Sequence, residues 1–478
     1  MSSESVNISS EGLKVLIGKF VAAFSGLIGI IVYANILGTS GLGLYYLSHA
    51  IATIASMPAS GLGIAAEKKG SEEKKNISKY NSISLFVTVA YIIFLSILTI
   101  FLYENIRYVR VNTPRDTIVY LTVILFFLFS LFRLLSRFYS GFGEPGKSVL
   151  VDAYRGIIET TLQISFLVFY GLDVEGLLIG TAISLLLGII YLLLLTPTTF
   201  SKPDKKSIKD ILEFSKWSIP TRTINEIYYR IDSVIIGLLL SPSAVGIYES
   251  AMKIVTPSKY VAYAIKRPLL VRVSQDLSNQ KSVNHLLDDL VPYASILSIP
   301  LIAGGIFVSQ DLLSVLYGSE FSEGWLIIVG GAVYFTIHTH SNVLSEFLHG
   351  FNSPKPVTKS VFIGSIVRTI LSCVFIYLVG LNGILISIII AEIVRFKLLN
   401  ISIKRECYRK YIPKKIITQL KSGSIMGIIV LLLSLTGSFS NTIYLGFTIS
   451  LGGIVYGLLL VYYDSFIKEN IRKYVSSI

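Results

Sequence analysis

Three charged residues stand at intervals of four within one largely apolar stretch of the chain. The stretch reads KWSIPTRTINEIYYRIDSVIIG, and the three residues are Arg222, Glu226 and Arg230. Residues at i, i+4 and i+8 share one stripe of an α-helix. A guanidinium presents several N–H donors in one plane, which suits the oxygens of a phosphate. The stripe is therefore interpreted either as a phosphate-binding site or as an Arg–Glu–Arg ladder that holds helices together.

Further charged residues interrupt the apolar runs elsewhere in the chain. A charge at the centre of a membrane helix costs about 2.5–3.5 kcal/mol on insertion scales, so such residues usually face an internal cavity. We predict substrate binding by Lys19, Arg155, Arg222, Glu226, Arg230, Lys253, Lys259 and Arg368. We assign coupling or structural roles to Glu159, Asp232 and Glu249, and an internal ion pair or hydrogen bond is favoured for Asp232. Because these cations outnumber the carboxylates, the set favours an anionic substrate.

One short segment matches a nucleotide-binding motif. Residues 141–148 read GFGEPGKS, which fits the phosphate-binding pattern G-x-x-x-x-G-K-[ST]. In nucleotide-binding domains this loop follows a β-strand, whereas here it follows the apolar segment TVILFFLFSLFRLLSRFYS. A related segment at 350–357 reads GFNSPKPV, and it keeps the Gly-Phe pair and a proline but not the Gly-Lys-Ser. We interpret 141–148 as a turn and predict no nucleotide binding.

The sequence contains no pattern typical of a catalytic or metal site. His338, His340 and His349 fall in one predicted helix, but residues at i and i+2 point to different faces, so polar packing is the favoured interpretation. Cys373 and Cys407 lie in an apolar run and a basic loop, which suggests neither a disulfide nor a metal cluster. The predicted outer loops are short and contain no D-x-D sequence. We therefore predict no cofactor, no metal and no enzymatic activity.

The composition identifies the elements that must hold these residues. The chain has 478 residues, of which 53% are hydrophobic and 15% charged, whereas soluble domains carry about 25% charged residues. Several long stretches contain no charged residue at all, among them 20–66, 80–103, 176–201, 290–309, 369–391 and 422–463. A run of ~20 apolar residues spans a bilayer as one helix. The sequence therefore predicts an all-α polytopic membrane protein.

The charge of the connecting loops predicts the orientation of these helices. We predict about fourteen transmembrane helices, at 13–37, 43–66, 80–103, 117–140, 149–170, 175–196, 214–240, 245–270, 286–309, 324–349, 358–379, 382–401, 419–437 and 441–463. Thirty Lys and Arg residues then fall on the side of the N-terminus and three on the other side. Cytoplasmic loops are enriched in Lys and Arg, so we predict a multi-pass protein of the cell membrane with both termini in the cytoplasm. These basic residues are spread over seven short segments, which disfavours nucleic-acid binding.

The two halves of the chain contain similar segments. LGTSGLGLYYLSHAI at 37–51 corresponds to LSPSAVGIYESAMKI at 240–254. SRFYSGFGEP at 136–145 corresponds to SEFLHGFNSP at 345–354. The repeat contains six helices, an even number, so both copies enter the membrane from the same side. A pseudo-twofold axis along the membrane normal is therefore expected, as in transporters with parallel repeats.

The repeat predicts how the chain is divided. We predict a first lobe of six helices at 1–200 and a second at 201–403, with a basic loop and two further helices at 404–478. At the offset of 203, Lys19 corresponds to Arg222, so each lobe places a cation at one depth in its first helix. A cavity between two such lobes is the expected place for a substrate.

Several segments resemble those of one transporter family. ILGTSGLGLYYLSHAI resembles the turn between helices 1 and 2 of polysaccharide flippases, and YYRIDSVIIGLLLSPSAVGIYESAMKI at 228–254 resembles their helix 7–8 segment. LLSVLYGSEFSEGW at 312–325 and GFNSPKP resemble their helix 9–10 and helix 10–11 loops. The chain is thus identified by resemblance with the polysaccharide transporter (Wzx-like) branch of the multidrug/oligosaccharidyl-lipid/polysaccharide exporter superfamily.

The resemblance implies a flippase that moves a polyprenyl-phosphate or polyprenyl-pyrophosphate oligosaccharide from the cytoplasmic to the outer leaflet. It also implies alternating access through a basic central cavity. The partners of such a flippase would be the lipid-linked oligosaccharide, membrane lipids and glycan assembly proteins of the cell envelope. The alternative function is cation-coupled export of drugs or metabolites, as in the sister branch of the superfamily. A membrane glycosyltransferase or polymerase is a third possibility, but the sequence lacks the acidic catalytic pairs that such an enzyme needs.

Overall fold

A computed structural model describes residues 8–73, 76–107, 116–141, 145–195, 201–409, 411, 413, 415–437, 439 and 441–475. Of residues 8–24 it describes the backbone alone. Within these ranges the regular elements are α-helices and short 3₁₀ turns, and no β-strand occurs among them. The prediction of an all-α protein is confirmed.

The first compact unit of the chain ends at Gly237. Its helices are α1 (Ile8–Ala55), α2 (Met57–Glu72), α3 (Ile77–Arg107), α4 (Asp116–Gly141), α5 (Pro145–Val168), α6 (Val174–Leu195) and α7 (Lys205–Leu239), the last of which runs two residues into the second unit. α1 breaks at Gly38, whose φ of 63° is rarely adopted by residues with a Cβ. The predicted second span therefore consists of the rest of α1 followed by α2, which has a proline in its first turn.

The second compact unit begins at Leu238. Its helices are α8 (Pro242–Val255), α9 (Tyr260–Ser278), α10 (Asn284–Asp289), α11 (Ser298–Tyr317), α12 (Trp325–Gly350), α13 (Pro354–Val379), α14 (Gly383–Cys407), α15 (Ile416–Thr436), α16 (Thr442–Tyr463) and α17 (Ser465–Val475). Two predicted spans are divided, because 3₁₀ turns at Thr256–Lys259 and Val291–Ser295 separate α8 from α9 and α10 from α11. Each turn contains a proline, which cannot donate a backbone hydrogen bond to a continuous helix.

The internal repeat is visible in the positions at which helices begin and end. Trp325 and Gly350, which bound α12, follow the bounds of α4 by the same 209 residues. α5 and α13 both begin with a proline at that offset. The turns after α5 and α13 place Gly171 and Gly380 at φ values of 61° and 67°, again at the same offset. Both copies therefore share the length of α4 and α12, the start of α5 and α13, and a glycine at positive φ after these helices.

The motif at 141–148 lies between two helices. α4 ends at its first residue, Gly141, and α5 begins at Pro145, whereas residues 142–144 lie outside the described residues. The helix that precedes the motif takes the place of the strand that a phosphate-binding loop requires. The interpretation of this match as a turn falls on residues outside the described ones and stays a prediction.

α7 packs onto the first unit, although the repeat assigns it to the second lobe. Ser218 Oγ donates a hydrogen bond to the carbonyl oxygen of Gly61 on α2 at 2.8 Å. Lys79 on α3 forms an ion pair with Asp204, just before α7, at 2.6 Å. The compact unit therefore extends to Gly237, beyond the predicted boundary at residue 200. The division at 1–200, 201–403 and 404–478 stays a prediction drawn from the repeat.

Within the described residues, eight helical stretches are long and apolar enough to cross a membrane, and one of them, Pro354–Cys407, holds two helices. The other spans of the predicted fourteen fall in α2 with the end of α1, in α5, in α7, in α8 with α9, and in α12. These segments carry more polar residues, which lowers their mean hydropathy. α3 exposes Phe86, Phe94, Ile97 and Phe101 by 63–77%. Such an apolar surface is stable in contact with lipid. The protein is thus a multi-pass membrane protein.

We predict that Gly61→Ala destabilises the packing of α7 on α2. A Cβ at Gly61 would lie 2.6 Å from Ile219 Cα, so the two helices must move apart. Overpacking of this kind costs about 1–3 kcal/mol, and we expect a lower Tm for the detergent-solubilised protein, measured by tryptophan fluorescence. Gly156→Ala on α5 is the matched control, because a Cβ there meets no atom within 4 Å. Equal Tm values for the two variants would contradict this account.

Candidate functional site

The charged stripe of α7 lies beside α4, and the two helices run in opposite directions at this point. Arg222 is within electrostatic range of Arg137 on α4 and of Glu67 on α2. One to two turns further along α7, Glu226 and Arg230 are within range of Arg133 on α4. As the residue numbers rise on α7 they fall on α4. The stripe and α4 therefore form two successive groups of charges, whose arginines are four residues apart on α4 and eight residues apart on α7.

The group around Arg222, called the lower group, contains two guanidiniums and one carboxylate. Arg137 Nη1 donates to Glu67 Oε2 at 3.2 Å, and both side chains are about one-third exposed. Arg222 is half-buried beside this pair. A carboxylate shared between two cations neutralises only one of them, so this group keeps one net positive charge.

The upper group contains Arg133, Arg230, Glu226 and the imidazole of His49. Arg230 Nε donates to Glu226 Oε1, one turn away on the same helix. Arg230 Nη1 approaches His49 Nδ1 at 3.5 Å. The Arg133 guanidinium stands 5.8 Å from the centre of the Phe129 ring. Its buried Nε has no hydrogen-bond partner among the described residues. A guanidinium with an unused donor in a membrane helix can bind an anionic group from outside the protein.

A third group links α5 to α6 and α1. Arg155 Nη1 donates to Glu159 Oε2 at 2.6 Å, and Arg155 Nε donates to Asp152 Oδ1 at 3.1 Å. Thr181 Oγ1 donates to Glu159 Oε1 at 2.8 Å. Behind this pair, the buried amide of Gln163 bonds three side chains, those of Thr181, Tyr33 and Tyr45, at 2.8–2.9 Å. Arg155 and Glu159 are thus held by hydrogen bonds, which favours a largely structural role for this group.

The three groups together give the first unit an excess of positive charge. The described residues of these groups include five arginines and four carboxylates, so the sum is +1. The arginines are Arg133, Arg137, Arg155, Arg222 and Arg230, and the carboxylates are Glu67, Asp152, Glu159 and Glu226. Arg133 lies within electrostatic range of both Arg155 and Arg230 and so connects the third group to the upper one. This arrangement can bind an anion such as a phosphate.

The structure brings together five of the predicted site residues in the first unit. They are Arg155, Glu159, Arg222, Glu226 and Arg230. Asp232 is 1% exposed on α7 and interacts within the protein, and its assignment to an ion pair or hydrogen bond stays a prediction. The side chain of Lys19 lies outside the described residues.

The other predicted residues belong to the second unit. Lys253 and Glu249 lie on α8, where Lys253 is exposed and Glu249 half-buried. Lys259 ends the 3₁₀ turn after α8, with its ammonium 6.0 Å from the centre of the Tyr263 ring. Arg368 on α13 is 2% exposed and stands over Tyr334 of α12.

Sequence reasoning missed several residues that the structure places in polar clusters. Arg133 and Arg395 are absent from the predicted site residues. Arg133 lies on α4 within electrostatic range of the stripe. Arg395 lies in the predicted span 382–401, and its side chain is 4% exposed on α14, beside Glu392. A signal did exist, because Glu392 and Arg395 stand at i and i+3 within the otherwise apolar segment ILISIIIAEIVRF.

Two of the three histidines of α12 have separate surroundings. His338 approaches Glu392 on α14, whereas His340 Nδ1 lies 2.7 Å from its own helix at Thr336 O. No group of three potential metal ligands occurs in the part of the chain that the structure describes. Each of these two histidines thus contacts its own polar partners, and the interpretation as polar packing stays a prediction.

Comparison with known proteins places this site in a family context. A family model described as "Polysaccharide biosynthesis protein" matches residues 12–272. The probable low-salt glycan biosynthesis flippase Agl15 of Haloferax volcanii is 25% identical over 387 residues, which cover 79% of each chain. The probable flippase AglR of the same organism is 22% identical over 470 residues, or 95% of each chain.

Two groups of solved structures share the fold. The lipid II flippase MurJ, in an inward closed conformation, superposes with a TM-score of 0.77 at 19% identity, over 95% of this chain and 99% of MurJ. An inward-facing multidrug transporter of the MATE family superposes with a TM-score of 0.66 at 15% identity, over 80% of this chain and 95% of the transporter. These likenesses establish the fold. Because the family model covers more than half of the 478 residues, the chain belongs to the polysaccharide biosynthesis protein family.

Proposed function

We propose that the protein is a flippase that moves a lipid-linked oligosaccharide from the cytoplasmic to the outer leaflet of the cell membrane. The observation that carries the proposal is the excess of guanidinium groups along α4 and α7, in which Arg133 Nε lacks a partner among the described residues. The named functions of the Haloferax relatives support the same activity, since both are probable flippases and one belongs to glycan biosynthesis.

The substrate must present a negative charge to these arginines while its lipid tail stays in the bilayer. A polyprenyl-phosphate or polyprenyl-pyrophosphate sugar has this chemistry. Its phosphate cannot enter hydrocarbon alone, because an unpaired buried charge costs several kcal/mol. Arginine offers planar donors to phosphate oxygens and keeps its charge in a dry environment. The arginines therefore replace the water that the phosphate loses.

The two charge groups on α4 and α7 provide two positions for that phosphate. Arg222 and Arg137 form the first position, and Arg230 and Arg133 form the second. Four residues separate the two positions on α4 and eight residues separate them on α7, which corresponds to about 6 Å and about 12 Å of helical rise. Each carboxylate already holds one guanidinium, so the net charge of each group is small. A small net charge favours release of the phosphate as well as its binding.

Transport is proposed to proceed by alternating access, with two lobes rocking about a basic central cavity. Lys19, Lys253, Lys259 and Arg368 would add positive charge to this cavity, while Glu159, Asp232 and Glu249 would serve coupling or structure. Both termini are proposed to lie in the cytoplasm, on the strength of the Lys and Arg bias. Envelope glycan assembly proteins would receive the flipped product. The function is transport, without a catalytic residue or cofactor.

A cation-coupled exporter of drugs or metabolites is the second candidate. The shared fold of the MATE multidrug transporter supports it. Such an exporter needs embedded carboxylates in excess to bind an organic cation. The described charge groups of the first unit have the opposite balance, with five arginines against four carboxylates. The anionic substrate is therefore the better supported choice.

We predict that Arg133→Gln and Arg222→Gln each lower the flipping rate about tenfold or more. Each substitution removes a charged donor that binds phosphate, and such bonds contribute about 1.5–3 kcal/mol. The measurement follows a fluorescent polyprenyl-phosphate-linked glycan and its pyrophosphate analogue between the leaflets of proteoliposomes. Arg272→Gln is the control, because this arginine is exposed on α9.

If both variants flip the substrate at the same rate as the unsubstituted protein, this site assignment is contradicted. Movement of an organic cation such as ethidium, with neither glycan moved, would instead support the exporter. Thermal unfolding of each variant separates loss of function from loss of folding. The two lipid substrates also show which phosphate linkage the arginines prefer.

We predict that Glu226→Gln binds the substrate more tightly and turns it over more slowly. The substitution frees Arg230 from its carboxylate partner and raises the positive charge of the upper group. A flippase should then show a lower KM and a lower maximal rate. If the stripe is only a ladder that joins helices, the Tm falls while KM stays the same. Initial flipping rates at several substrate densities, together with the Tm, distinguish the two interpretations.

A further inference from the structure

The second unit buries a cluster of ionisable side chains that the proposed flipping mechanism does not use. His338 lies on α12, and Glu392 and Arg395 lie on α14. Their side chains are 1%, 0% and 4% exposed. Ionisable groups within membrane helices are costly, so a cluster of this kind marks a functional site by default.

The hydrogen bonds of this cluster fix the orientation of Asn342. Arg395 Nη2 lies 3.1 Å from Asn342 Oδ1 and can only donate, so the amide oxygen must face the arginine. The amide nitrogen, Nδ2, then faces His338 Nε2 at 2.8 Å and donates to it. His338 Nε2 is therefore an acceptor and carries no proton.

The other ring nitrogen of His338 carries the proton of the neutral imidazole. His338 Nδ1 lies 3.1 Å from Glu392 Oε2, a carboxylate oxygen that accepts this proton in a hydrogen bond. The Tyr334 hydroxyl at 3.2 Å and Arg395 Nη1 at 3.4 Å also lie near this nitrogen, but both distances are longer than the one to the carboxylate. Glu392 Oε1 accepts a second bond from Arg395 Nη1 at 3.2 Å. The structure thus holds His338 as a neutral imidazole between Asn342 and Glu392.

The charges that face His338 come from three further elements. On α14, Glu392 contributes one negative and Arg395 one positive charge. On α13, Arg368 donates to the hydroxyl of Tyr334, whose ring stacks on His338 at 5.0 Å. Lys259, between α8 and α9, adds a further positive charge within electrostatic range. A proton added to His338 therefore enters a group that is already positive, and it requires a rearrangement.

We propose that His338 Nε2 is a proton-binding site that is linked to movement of α14. A proton taken from water binds to His338 Nε2, at the lone pair that accepts the hydrogen bond from Asn342. The Asn342 amide then rotates by half a turn, so that Oδ1 accepts from the new N–H. Arg395 Nη2 loses its 3.1 Å acceptor and keeps the 3.4 Å contact with Ser345 Oγ. Proton binding thus weakens the connection between α12 and α14, and no other bond is made or broken.

The repeat indicates that this site belongs to the second unit alone. At the offset of 209 that relates α4 to α12, Phe129 corresponds to His338 and Arg133 to Asn342. Phenylalanine cannot bind a proton, and an arginine side chain cannot accept a hydrogen bond. At this pair of positions the first unit therefore has a permanently charged arginine, and the second unit has a titratable imidazole.

The first test is the protonation state of His338 in the full chain, in lipid nanodiscs with ¹⁵N-labelled histidine. We expect His338→Gln to remove a signal that shows the neutral Nδ1–H form at pH 7.5, whereas His340, whose Nδ1 faces Thr336 O, gives a second such signal that remains. His349→Gln is the matched control on α12 and should leave the signal in place. An Nε2–H tautomer of His338 in the unsubstituted protein would overturn the proposal. The tautomer is measured in the unsubstituted protein, so the result does not depend on whether a His338 variant folds.

The second test concerns the link to Arg395. In Arg395→Gln the neighbouring positive charge is absent, so His338 should bind its proton more readily. We expect half-protonation at about one-tenth of the proton concentration that the unsubstituted protein requires, which is a shift of about one pH unit. Amide hydrogen exchange in residues 383–407 should increase on acidification in the unsubstituted protein but not in His338→Gln, after correction for intrinsic exchange rates. Identical titration in Arg395→Gln, or exchange independent of His338, would overturn the linkage. Neither readout involves flipping, so the proposed function is tested separately.

Discussion

Pairing of charges inside a low-dielectric helix bundle is the constraint on which this structure depends. An ion that leaves water without a partner costs more than most single contacts in a protein contribute. The first unit meets the constraint with Arg137–Glu67, Arg155–Glu159 and Arg230–Glu226. Each of these pairs is accompanied by a further charge or hydrogen bond. Arg137–Glu67 joins α4 to α2, whereas the other two pairs lie within α5 and within α7.

The two units satisfy this constraint with different chemistry on the same helical framework. α4 and α12 begin and end at the same offset, and left-handed glycines follow α5 and α13 at that offset. On this shared backbone the first unit places Arg133 and Phe129, and the second places Asn342 and His338. The first unit accumulates permanent charge, which suits an anionic substrate. The second accumulates hydrogen bonds around a titratable ring, which suits a proton.

α7 shows how a repeat in the sequence and the packing of the chain can differ. The repeat makes α7 the first helix of the second lobe, yet its hydrogen bond to Gly61 and the ion pair just before it lie with the first unit. Its charged stripe therefore completes a site with α2 and α4. The function of the stripe is decided by these neighbours, because Arg230 alone with Glu226 would be a neutral pair.

The sequence by itself determined the membrane class, the helical content and the internal repeat, because long apolar runs and repeated turn residues are local signals. It also identified Arg222, Glu226 and Arg230, because their spacing shows on any helix. Only the tertiary structure brought Arg133, Arg137 and Glu67 to this stripe, since they come from α4 and α2 and share no sequence pattern with α7. It likewise showed that Arg395 is buried beside His338, 57 residues away along the chain. Charge pairing across helices depends on distances in space, and a linear sequence does not contain them.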